Sequence, residues 1–130
     1  MPENPLLLFA VASQDGQLVN QHFGHARGFY IYACDGSTPR LVEHRLIPGG
    51  MPYCGPEDPE QVGLPDKDEI MDNILSCLTD CAGVVAMRIG DLPQLDLLEN
   101  GILVFENYNR IGDAVREAYD SLVQDDDDEV

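Results

Sequence analysis

The sequence predicts a single-domain α/β protein built on a mixed five-stranded sheet with flanking helices. Three observations carry this expectation. Segments 6–12, 83–87 and 102–105 are apolar on both faces of an extended chain, as in strands covered on two sides. Apolar residues at helical spacing fill the intervals between the later strands. The resulting strand–helix–strand alternation implies parallel pairing with right-handed crossovers.

Taken in order, Leu6-Leu7-Leu8-Phe9-Ala10-Val11-Ala12 is the first strand and reads as central. Phe29-Tyr30-Ile31-Tyr32 and Leu41 to Ile47 are more mixed and suit edge positions. The turn residues Asp35-Gly36-Ser37-Thr38-Pro39 join them as a hairpin. Asp66 followed by Glu69 is a capping-box variant that opens the first helix, whose stripe is Ile70, Ile74 and Leu78, with Met71 and Leu75 beside it. Gly83 to Met87 is the fourth strand. A short second helix starts after Asp91 with Pro93 in its first turn and stops at Asn100-Gly101. Ile102 to Phe105 reads as another central strand. The last helix starts near Asn109 and carries Ile111, Val115, Ala118, Tyr119 and Leu122 inward.

Length and composition agree with one domain. A chain of 130 residues suffices for an independent core. Its 44% hydrophobic content is that of a globular protein despite the acidity. The domain is expected to span residues 1–122. Residues 123–130, with Asp125 to Asp128 and Glu129 in an unbroken run, are expected to form a disordered acidic tail. The formal net charge is −17, and −12 without those five acids, which argues against nucleic acid or an anionic membrane as partner. The apolar run 6–12 is too short to span a bilayer, and no basic residue precedes it as in a signal peptide. A cytoplasmic location follows as the expectation, with Cys34, Cys54, Cys77 and Cys81 as reduced thiols.

Two stretches fit neither period. Ser13 to Gly28 joins two strands, and Pro48 to Pro65 holds five of the nine prolines. Loops this long inside a compact domain are usually functional or disordered. In open α/β sheets, ligands collect beyond the carboxyl ends of the strands. The first loop leaves the carboxyl end of one strand and Arg88-Ile89-Gly90-Asp91 leaves another, so the two are expected to be neighbours.

The first loop contains His22-Phe23-Gly24-His25. Two imidazoles three apart can share a face or clasp a metal from a tight turn, and a glycine between them permits a sharp turn or close approach. The alternative is two loop histidines that hydrogen-bond backbone carbonyls. Cys54, stiffened by Pro52 and Pro56, offers a soft ligand to iron, molybdenum or copper, or is a thiol without a role. Cys77 and Cys81, at i and i+4 near the end of the first helix, suit core packing better than half a metal site. Arg88 supplies positive charge at the strand ends, or else is a solvated or structurally paired arginine. His44 reads as a surface or edge residue, and Asp15-Gly16 as a turn. There is no C-x2-C pair, P-loop, G-x-S-x-G elbow or G-x-G-x-x-G fingerprint.

Phe9-Ala10-Val11-Ala12-Ser13-Gln14-Asp15-Gly16, followed by Leu18-Val19-Asn20-Gln21-His22-Phe23-Gly24-His25-Ala26, resembles the opening of the dinitrogenase iron–molybdenum cofactor biosynthesis family. That family includes NifX, the core domain of NafY and the C-terminal domain of NifB. More loosely, the resemblance extends from about Leu6 to Tyr119, through Asp80-Cys81-Ala82-Gly83-Val84-Val85 and Arg88-Ile89-Gly90. It implies a ribonuclease-H-like fold. It also implies binding of an iron–sulfur or iron–molybdenum–sulfur cluster during nitrogenase cofactor assembly and nitrogen fixation, with cluster-donor and cluster-acceptor proteins as partners.

The resemblance implies His22 as the cluster ligand, while His25 matches a second histidine of the NifB-like branch. Tyr53-Cys54-Gly55 resembles that branch's Y-C-H-G, with Gly55 and Pro56 where its histidine and glycine stand. The expectation is therefore a non-catalytic binding protein. His22, His25 and Cys54 are its candidate metal ligands, and Phe23, Gly24 and Arg88 its further cluster contacts. A small metal-dependent hydrolase or nuclease, and a regulatory domain that has lost the cluster, are the alternatives.

Overall fold

The computed structural model describes residues 5–48 and 67–127, with side chains described for 5–48 and 69–123. Its strands are β1 (Leu7–Val11), β2 (Gly28–Cys34), β3 (Arg40–Leu46), β4 (Gly83–Ala86) and β5 (Leu103–Glu106). Its helices are α1 (Lys67–Ser76), α2 (Asp91–Glu99) and α3 (Ile111–Asp127). The five strands form one mixed sheet in the order β3-β2-β1-β4-β5. Antiparallel pairing joins β1 to β2 and β2 to β3, whereas β1–β4 and β4–β5 are parallel.

Side-chain alternation divides the interior into two layers. Ala10, Ala12, Phe29, Ile31, Val84 and Ala86 face the layer closed by Ile70, Met71, Ile74 and Leu78 of the α1 segment and by Leu97 of α2. Phe9, Val11, Cys34 and Val85 face Ile111, Ala114, Val115, Ala118 and Tyr119 of α3. Burying each large side chain contributes roughly 1.5–3 kcal/mol, and the two layers explain why β1 and β4 must be apolar throughout. Among the described residues no helix is long and apolar enough to cross a membrane.

The strand positions require one correction. β5, expected to be central, is an edge strand whose side chains are exposed or half-buried. Ile102, which made the run look central, lies outside the strand and serves the end of α2. Its N–H donates to the Leu97 carbonyl at 2.9 Å, and the Gly101 N–H donates to Leu98 at 3.0 Å. Gly101 has φ +77°, so this is a Schellman closure, with Ile102 and Leu97 both buried. Conversely β2, expected at an edge, is interior. Tyr30 and Tyr32 are half-buried and bring apolar ring bodies to the α3 side. The true edge on that side is β3, exposed along nearly its whole length.

Cys77 and Cys81 lie beyond the last residue of α1 rather than on it. Cys81 is buried, and burial pushes its thiol up to about 12. Cys77 is half-buried and its thiol is raised by the same cause. Arg45 of β3 ties this turn to the sheet, donating to the Cys77 carbonyl at 2.9 Å and to both carboxylate oxygens of Asp80 at 2.6 and 2.9 Å. Asp66, the expected cap of α1, lies outside the described residues. The backbone of α3 is helical through Asp127.

Candidate functional site

The loop after β1 is folded on itself before it reaches the histidines. The Asp15 carboxylate accepts the N–H groups of Gln17 and Leu18 at 2.9 and 3.1 Å and the Ser13 hydroxyl at 3.2 Å. These hydrogen bonds hold the Asp15 carboxyl below the usual carboxylate range. Asn20 closes the loop by accepting the Gln14 N–H at 2.8 Å. Val19 is fully buried against the α3 layer, and its N–H donates to Asn109 at 2.9 Å.

From there the chain returns to the sheet. The Met87 N–H donates to the Gln21 carbonyl at 3.0 Å, and the Phe23 N–H donates to the Arg88 carbonyl at 2.8 Å. His22 and Arg88 thereby form a parallel bridge just beyond the ends of β1 and β4. The two loops predicted to be neighbours are joined through their backbones.

Phe23–His25 then forms a single 3-10 turn, closed by the His25 N–H donating to His22 at 3.1 Å and the Ala26 N–H donating to Phe23 at 3.2 Å. Residues three apart eclipse one another in this geometry. The turn accordingly sorts its side chains. Phe23 and Ala26 are fully buried, Phe23 against the Phe29 ring at 5.6 Å, while His22 and His25 are exposed together. The imidazoles lie parallel, 5.6 Å between ring centres and 6° between planes. Gly24 was expected to permit a sharp turn or a close approach; it is not among the described glycines with positive φ, which are Gly16, Gly36 and Gly101. The Gly24 backbone is open to other residues, and what glycine adds there is a missing side chain.

His22 also borders an open depression of about 590 Å³, lined by Met87, Arg88, Glu106, Asn107 and Tyr108. This depression lies at the carboxyl ends of the parallel strands β4 and β5. Arg88 is exposed and forms no salt bridge among the described residues. Glu106 accepts the Ile89 N–H at 3.1 Å, and Asn107 continues the β4–β5 ladder by donating its N–H to Ala86 at 2.9 Å. Glu106, Asn107 and Tyr108 were absent from the sequence reading. The rule that placed Arg88, that ligands gather past parallel strand ends, would have found them once Glu106 was seen to end the third parallel strand.

Among the described residues, no group of three or more His, Cys, Asp or Glu is gathered to hold a metal ion. They present instead an open pair of imidazoles, the first of which shares a depression with Arg88. Cys54 lies outside the described residues. His44 is exposed on β3 and stacks on Tyr30 at 4.4 Å, in keeping with an edge residue.

Comparison with known proteins adds lineage to this geometry. The sequence profile described as dinitrogenase iron-molybdenum cofactor matches residues 5–124. The chain belongs to this family. A Frankia alni relative named FeMo cofactor biosynthesis protein NifB is 39% identical over 121 residues, covering 92% of this chain and 22% of its own length. An Azotobacter vinelandii relative of the same name is 34% identical over 96 residues, covering 74% of this chain and 18% of its own length. The chain thus spans about a fifth of the length of these curated family members. A Thermotoga protein solved by NMR aligns at 17% identity with a TM-score of 0.48, covering 88% of each chain.

Proposed function

We propose that this domain binds an iron–sulfur or iron–molybdenum–sulfur cluster as cargo in FeMo cofactor biosynthesis, without catalysing a reaction on it. The observation that carries the reading is the parallel, exposed pair of His22 and His25 on a turn anchored by Phe23. His22 is the first ligand, because it borders the strand-end depression and Arg88; His25 is its companion. Membership of the family and the names of the NifB relatives support the choice of cargo.

The chemistry is economical. A preformed cluster brings its own sulfide ligands and needs only one or two protein donors. Imidazole suits iron, and a nearby cation offsets the cluster's negative charge in a chain of net charge −17. Arg88 fills that second role. Two ligands on an open face also allow release to an acceptor, which a closed cage of four cysteines would resist. Gly24 leaves room for a bulky cluster beside the rings. The strand order, with an antiparallel hairpin ahead of parallel strand–helix–strand units, supports a ribonuclease-H-like fold. A cytoplasmic setting fits the free thiols at Cys34, Cys77 and Cys81.

The deciding experiment is an anaerobic titration with iron–molybdenum cluster, followed by absorbance. The wild-type chain is expected to form a coloured complex, and the His22→Ala, His25→Ala, Cys54→Ala triple variant to lose it. Unchanged affinity in the triple variant would remove the site assignment, and no complex with wild type would remove the reading.

A further inference from the structure

α2 is a helix of nine residues that turns most of its leucines outward. It buries Pro93 and Leu97, whereas Leu92, Leu95 and Leu98 are 68%, 54% and 42% exposed. These three lie three apart and therefore on one side of the helix. Isolated exposed leucines are ordinary on protein surfaces; three in a row on one short helix form a patch.

The charges around the patch have one sign. Asp91, Asp96 and Glu99 are the charged residues of α2, and Asp72 is exposed on neighbouring α1. With a net charge of −17 the chain repels a second copy of itself, and an acid-rimmed patch would oppose its twin. The complementary surface is apolar at its centre with lysines and arginines around it. Position adds a further argument. α2 begins at Asp91, three residues after Arg88, which lines the His22 depression.

The geometry points to α2 as a docking face for a protein partner that presents an apolar patch with a basic rim, seated beside the histidine turn. The docking face stands on the exposure and charge of α2. Its use as the route by which a cluster arrives or leaves rests on the function proposed above.

A labelled amphipathic peptide of alternating leucine and lysine faces serves as the probe, its binding followed by fluorescence anisotropy. Wild type is compared with a Leu92→Ser, Leu95→Ser, Leu98→Ser variant and with an Asp91→Asn, Asp96→Asn, Glu99→Gln variant. The leucine variant is expected to bind at least about tenfold more weakly with unchanged circular dichroism, since the substituted side chains are on the surface. The amide variant is expected to lose much of the salt dependence of binding. Equal binding by the leucine variant would reduce the interaction to general attraction for a polyanion and overturn the proposal. So would sedimentation showing a wild-type dimer that the leucine substitutions dissociate, because the occupant would then be a second copy. Anaerobic cluster titration of the leucine variant should match wild type. If wild type binds the peptide through these leucines but takes up no cluster, the docking face survives and the cluster reading falls.

Discussion

The ring of His22 lies parallel to that of His25 at 5.6 Å, and both are outside while the residue between them in register, Phe23, is wholly inside. A 3-10 turn is what makes this sorting possible. Its three-residue period puts positions 22 and 25 over one another and sends 23 and 26 into the core. The solvent-facing and core-facing requirements therefore fall on different residues and can be tested separately.

Replacing His22 with alanine should weaken cluster binding more than replacing His25, because His22 alone of the pair borders the Arg88 depression. Loss of a direct ligand is expected to cost no less than the roughly 10–100-fold typical of losing a supporting partner. Both residues are exposed, so thermal stability should move by about 0.5 kcal/mol at most. Parallel titration and melting of the two single variants checks both statements.

Phe23→Ala should give the opposite pattern. Its ring is fully buried beside Phe29, and truncation is expected to cost about 3–5 kcal/mol in urea denaturation. Cluster affinity should fall as well, although no ligand has been touched, because the turn has lost its anchor.

At Gly28 the constraint is the hairpin. A Cβ there would meet the Arg45 carbonyl oxygen at 2.5 Å and the Leu46 Cα at 3.2 Å, both backbone atoms. Gly28→Ala is expected to push β3 off β2 and destabilise the fold by about 1–3 kcal/mol, read from the shift in urea midpoint.

Acid should weaken the Arg45–Asp80 fork. The hydrogen bonds from Arg45 hold the Asp80 carboxyl below the ordinary carboxylate range. A depressed folded-state value means stability that is present above the unfolded value, near 4, and lost as pH falls through the folded one. Both groups are partly solvated, so the effect is modest. Melting curves between about pH 6 and pH 2 should fall less steeply for Asp80→Asn than for wild type. Identical slopes would mean that the fork contributes nothing.

Thiol reactivity offers a further check. Cys81, raised to about 12 by burial, should resist alkylation of the native protein near pH 8 and react once the chain is unfolded in urea. Half-buried Cys77 should react sooner, and peptide mapping by mass spectrometry distinguishes them.

How far the sequence could be read follows from the kind of information each residue carries. The apolar runs of β1 and β4 and the i, i+4 stripe of α1 are local patterns with one physical meaning, and they held. Ile102 misled because a buried isoleucine next to a strand looks the same whether it extends a sheet or seals a helix end. Tyr30 and Tyr32 misled in the other direction, since a tyrosine can cover a core with its ring and still reach water. At the site, Arg88 was found through the strand-end rule without knowledge of the strand order. Glu106 and Tyr108 depended on that order, because only the placement of β5 beside β4 brings them to the same depression.

The His22–Arg88 bridge also bears on when this protein becomes competent. Its two halves are far apart along the chain and meet only through pairing with β4. During synthesis the histidine turn emerges long before its platform does. Contacts of such sequence separation form late, after the entropy of closing the intervening chain has been overcome. A nascent or partly folded chain would hold its histidines without the neighbouring guanidinium or the fixed ring spacing. On the function proposed above, a chain whose parallel sheet is incomplete would therefore lack the geometry that receives a cluster.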